Sequence, residues 1–150
     1  MLSGSEVPVL LSVLLTALTL GPAMAHLLEA PVKLFLPREQ YFQVQQIYRG
    51  WAFAGVFVIG ALLSTAWLAL NVQGQAFWLT IAACGCLAGS QVLFWTVTFP
   101  ANQATKNWTH QPPHWRELRA RWEISHAAGA VLTLGALVFL LLAAPPVLAR

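Results

Sequence analysis

The sequence predicts an all-α fold, an integral membrane bundle of four antiparallel helices, on three observations. The 150 residues are 58% hydrophobic and 9% charged, outside the usual range of soluble domains. Charged residues are absent from Val7 to Leu28, from Gly50 to Thr105 and from Ile124 to Ala149, and one crossing of the hydrocarbon layer takes roughly 20 apolar residues. The apolar runs are continuous rather than alternating, which disfavours strands, and in lipid a helix satisfies its backbone groups within one segment.

The first and third stretches hold one helix each; the middle one holds two, divided by Asn71-Val72-Gln73-Gly74-Gln75. A single domain, 1–150, is expected, with helices over 6–30, 41–70, 76–104 and 115–143. Prolines 31, 37, 100, 112, 113, 145 and 146 fall at or near those ends, as helix breakers do, and Pro100 is placed to kink the third helix. Ala23-Met24-Ala25 resembles a signal-peptidase site, but the leading segment carries Glu6 and no Lys or Arg, so the first span is expected to stay. Gly55, Gly60, Ala61, Gly85, Gly89, Gly129 and Gly135 allow close helix contact. Cys84 and Cys86, two apart on one helix, point to different faces and suit packing better than a disulfide or a chelate.

Antiparallel packing puts the first and third loops on one side. Lys33, Arg38, Arg49, Lys106, Arg116, Arg119 and Arg121, seven of the eight basic residues, then lie together. The positive-inside rule makes that side cytoplasmic and sends both termini to the periplasm or its equivalent. The net charge of +3 belongs to this asymmetry, and nucleic acid is not an expected partner. The expected partners are the lipid bilayer and a lipophilic small molecule, with a homo-oligomer left open.

The same end collects the polar side chains of all four helices. These are His26 and Glu29; Tyr41, Gln45, Tyr48 and Arg49; Asn102, Gln103 and Asn107; and Trp122, Glu123 and His126. His26 and Glu29 are three apart, as are Glu123 and His126, so each pair shares a helix face. Their reversed order on oppositely directed helices sets the two histidines at one depth and the two glutamates nearer water. Ionisable groups in spans are costly and usually functional.

Three chemistries fit this constellation. His26, Glu29, Glu123 and His126 form a reasonable ligand set for one iron, manganese or zinc ion; bundle di-iron sites use four carboxylates, and this chain has no aspartate. His26 and His126 alone suit the axial positions of a b-type haem. Without any cofactor, His and Glu serve as general acid and base on a bound apolar substrate. The bland alternative pairs Glu123 with Arg119 one turn back. His110 and His114 are expected to be solvated loop residues. Trp78, Trp95, Trp108, Trp115 and Trp122 are expected interface anchors, and the sequon Asn107-Trp108-Thr109 is expected to go unused on the cytoplasmic side.

Phe94-Trp95, Val97-Thr98-Phe99-Pro100, Asn102, Ala104-Thr105, Asn107-Trp108-Thr109, Pro113, Trp115, Leu118-Arg119, Arg121-Trp122-Glu123 and His126-Ala127 form a further pattern. Leu28-Glu29-Ala30-Pro31 and Gln46-Ile47-Tyr48-Arg49-Gly50 extend it more weakly. It resembles the small four-helix membrane proteins grouped with the fungal anthrone oxygenases. For some fungal members the resemblance implies oxidation of a polycyclic anthrone methylene to a ketone by oxygen, although a shared fold does not fix a reaction.

The expected function is therefore a membrane-bound oxidoreductase, an oxygenase acting on a lipophilic polycyclic aromatic or quinol-like substrate at the cytoplasmic side. His126, Glu123 and Tyr48 would be catalytic, and Gln45, Arg49, Asn102, Asn107 and Trp122 would bind substrate. The rivals are a haem-binding electron-transfer protein and a non-enzymatic subunit that holds a partner or a lipid headgroup through Arg116, Arg119 and Arg121. A transporter is less attractive, because no charged pathway reaches the outer half.

Overall fold

Among the described residues the hydropathy pattern is realised as six α-helices: α1 (Glu6–Lys33), α2 (Arg38–Val44), α3 (Gly55–Asn71), α4 (Gly74–Leu93), α5 (Phe99–Ala104) and α6 (Trp115–Leu148). The structure, a computed structural model, describes residues 6–148, and among these there are no strands. Four segments of the described residues are long and apolar enough to cross a membrane: Glu6–Lys33, Trp51–Asn71, Gly74–Ala104 and Trp115–Pro145. Leu14, Ile59, Leu63, Leu70, Val92 and Leu142 are exposed on the outside of the bundle, a continuous apolar surface of the kind that lipid covers.

The second expected helix, 41–70, is broken. Arg38–Val44 is α-helical, Gln45–Tyr48 and Trp51–Ala54 are 3₁₀ turns, and the α-helix resumes at Gly55. Gly50 causes the break with a φ of 88°, a left-handed conformation that glycine adopts without a Cβ clash. Proline, by contrast, stops less than expected. Helix α1 runs through Pro22 and Pro31 to Lys33, and α6 runs through Pro145 and Pro146 to Leu148. Pro100 does distort its helix: Phe94–Thr98 forms a π turn between α4 and α5, because Pro100 has no N–H for the carbonyl one turn back.

Helix α6 packs against both α1 and α4, and α1 against α3. Side chains fill two cores. Ala61, Leu68, Ala83, Leu87, Ala136 and Leu140 belong to the apolar one, whose small residues let the helices approach. The second is aromatic and lies at the polar end, built from Tyr41, Phe42, Trp108, Trp115, Leu118 and Trp122. Trp108 reaches it through three consecutive left-handed residues, Lys106, Asn107 and Trp108, with φ of 48°, 53° and 63°. Such residues cost about 1–3 kcal/mol each. Offsetting bonds run from Asn107 N to Asn102 O at 2.7 Å, from His110 N to Thr105 O at 2.9 Å and from Gln46 Nε2 to Trp108 O at 2.9 Å.

Candidate functional site

The last turn of α1 carries the site's organising residue. Pro31 costs that helix one backbone bond and leaves its path intact, so Lys33 falls one turn beyond Glu29 and on the same face as His26. Its side chain turns inward and only 3% of the residue is exposed. The ammonium lies 3.0 Å from Glu123 Oε1 and 3.8 Å from Glu29 Oε2, and it donates to Tyr48 Oη at 3.1 Å. The rings of Tyr48 and Trp122 stand over it, each centroid 4.6 Å away. A buried cation is tolerated when carboxylates and π faces surround it in this way.

Glu123, the counter-ion, is fully buried. Its Oε1 also accepts from Tyr41 Oη at 3.0 Å, and Tyr41 Oη in turn accepts from Gln45 Nε2. Glu29 accepts from Tyr48 Oη. Burial raises both phenols well above the ordinary tyrosine range, and neighbouring carboxylates add to it: Glu123 for Tyr41, Glu29 for Tyr48. Both phenols thus stay protonated donors.

Above these groups the imidazoles meet. The His26 and His126 rings are 4.2 Å apart between centroids, tilted by 38°. Trp122 contacts both, at 4.9 Å from His26 and 4.1 Å from His126. Tyr48 and Trp51 complete the surround of His26, at 4.5 and 5.5 Å. His26 Nδ1 is buried and has no hydrogen-bond partner, as is true of Glu123 Oε2 and Gln45 Oε1.

The four residues expected to hold a metal do converge from α1 and α6, but the two carboxylates close on an ammonium and the two imidazoles on each other. Among the described residues no three His, Cys, Asp or Glu side chains form a group that could hold a metal ion. Lys33 stands between the two carboxylates, and its charge opposes a second cation there. A haem sandwiched by His26 and His126 does not fit either, since the two rings touch and leave no gap for a porphyrin plane.

The other expected site residues divide. Tyr48, Gln45 and Trp122 belong to the cluster. Arg49 and Asn107 are exposed, with side chains outside it. Asn102 is a clamp: its Oδ1 accepts from Trp108 Nε1 at 3.1 Å and from Trp122 Nε1 at 2.9 Å, which fixes the Trp122 ring over Lys33. Arg119 does not pair with Glu123. It donates to Leu36 O at 2.8 Å, satisfying a carbonyl beyond the end of α1, and its guanidinium lies over Trp115 and Tyr41.

No known protein family, curated protein or solved structure matches the chain. Function must therefore be read from the cluster itself. Three of its members, Lys33, Tyr41 and Trp51, were not among the expected site residues. For Lys33 a signal existed, because His26, Glu29 and Lys33 continue one helical face past Pro31.

Proposed function

We propose that this protein is a membrane-bound oxidoreductase that acts without a metal or haem on a lipophilic, flat, acidic C–H or phenolic substrate, using dioxygen as oxidant. The supporting observation is the contact of His26 with His126, where one buried imidazole nitrogen has no partner, beside the Lys33–Glu123 pair. The resemblance in the last third of the sequence points to the same substrate class.

An imidazole takes a proton from a methylene flanked by aromatic rings, leaving a delocalised carbanion. The Lys33 ammonium stabilises that charge in a site of low dielectric. Dioxygen adds to the carbon, the proton returns to the terminal oxygen, and the hydroperoxide loses water to leave a ketone. The balance is CH2 plus O2 giving C=O plus H2O: carbon is oxidised, and dioxygen is reduced to water and the carbonyl oxygen. The basic loops give the orientation we propose, with this end of the bundle cytoplasmic and both termini outside.

Oxygen uptake by protein in lipid nanodiscs supplied with anthrone tests the reading. The combined change of His26→Ala and His126→Ala should lower the rate at least about 100-fold, the usual scale of general acid–base catalysis. Uptake equal to the unaltered protein would remove the proposal.

One observation favours a second reading, a non-enzymatic membrane subunit. A groove of about 380 Å³, lined by Thr96, Val97, Pro100, Ala101, Leu118 and Arg121 among others, lies away from the histidines, and exposed Arg116 and Arg121 flank this end. Such a subunit would consume no oxygen with anthrone.

A further inference from the structure

His26 is buried and His126 is half-buried, and the covering of the pair is uneven. Trp122 is 3% exposed and held by Asn102. Tyr48 is bound to Glu29 and Lys33. Trp51 differs from both: its ring packs on His26 at 5.5 Å and on Tyr48 at 4.9 Å, yet the residue is 39% exposed. It begins the 3₁₀ turn Trp51–Ala54, which contains no buried residue and has no side-chain cap. Phe53 in the same turn is 84% exposed.

Glycines bracket this turn. Gly50 precedes it at a φ of 88°, Gly55 follows it, and a Cβ at either position would meet nothing within 4 Å. Close packing therefore does not require the two glycines, and their consequence is backbone freedom at both ends of Trp51–Ala54. A short segment with few buried contacts opens at low cost relative to the whole fold.

We propose that Trp51 is the specificity-determining residue of the site. A flat aromatic substrate arriving from the bilayer displaces the Trp51–Ala54 flap and stacks on the Trp51 indole, which carries it to His26 and His126. This inference rests on the substrate class proposed above. It explains how a packed cluster admits a ligand: access runs through the wall that is least anchored. An indole supplies a large flat apolar face, and stacked aromatic pairs hold together beyond their buried area.

Equilibrium dialysis of 9,10-anthraquinone against the protein in nanodiscs tests this without turnover. Trp51→Ala should weaken binding about tenfold, on the scale of one aromatic contact and its buried area, while Trp51→Phe stays within about threefold by keeping a ring. Should Trp51→Ala fail to fold, Trp51→Leu replaces it with the same expected loss. Equal binding by the unaltered protein and the ring-less variant overturns the role of Trp51 and leaves the oxidoreductase reading standing. An unaltered protein that does not bind the quinone overturns the substrate class, and this inference with it.

Discussion

His26 and His126 touch, with ring centroids 4.2 Å apart, although they stand 100 positions apart in the sequence. The contact joins α1 to α6 at the level where Lys33 has taken the position between the carboxylates of Glu29 and Glu123. Dialysis against a strong chelator should accordingly leave oxygen uptake with anthrone unchanged, and added ferrous, manganous or zinc ions should not raise it. Loss of uptake on chelation, with recovery on adding one of these ions, would restore the metal reading.

Tyr41 and Tyr48 are the only two tyrosines, so phenolate absorbance reports on this cluster alone. Burial lifts both phenols above the ordinary value of about 10. The protonated form is the one the fold favours, so their contribution is complete below the unfolded value of about 10 and is lost as pH rises beyond it. Phenolate should appear only as helical circular dichroism falls. Reversible ionisation near pH 10, with helicity intact, would contradict the enclosure of buried Tyr41 and half-buried Tyr48.

Arg119 links the end of α1 to α6 through the carbonyl of Leu36 while stacking on Trp115 at 4.7 Å. Arg119→Ala should reduce stability by about 1.5–3 kcal/mol, the worth of a charge-assisted hydrogen bond. Arg119→Lys should recover little of it, because an ammonium lacks the planar fork that both bonds and stacks. Thermal unfolding in detergent measures the difference, and a fully restored midpoint in the Lys variant would refute the stacking role.

Much of this architecture is legible along the chain, because burial in lipid demands uninterrupted apolar runs. The paired spacing of His26 with Glu29 and of Glu123 with His126 likewise showed which faces could converge. Lys33 was hidden by its neighbour. Pro31 reads as a helix end, which turns Lys33 into a loop charge, whereas the helix loses one bond and continues. The break at Gly50 depends on a backbone angle that composition does not carry. Arg119 and Glu123 are one turn apart and suggest a local ion pair; only the approach of α1 supplies the competing partners, a carbonyl for one and an ammonium for the other.

The meeting of an ammonium from α1 with a carboxylate from α6 organises the candidate site at this end of the bundle. A double-mutant cycle of Lys33→Met and Glu123→Gln, read by thermal unfolding, measures it most directly. Lys33→Met alone leaves Glu123 buried without its cation and Glu123→Gln alone leaves Lys33 short of its nearest anion, so each should cost about 3–5 kcal/mol. The pair together should cost much less than their sum, with a coupling of about 2 kcal/mol or more. Strictly additive losses would mean that the two charges do not meet.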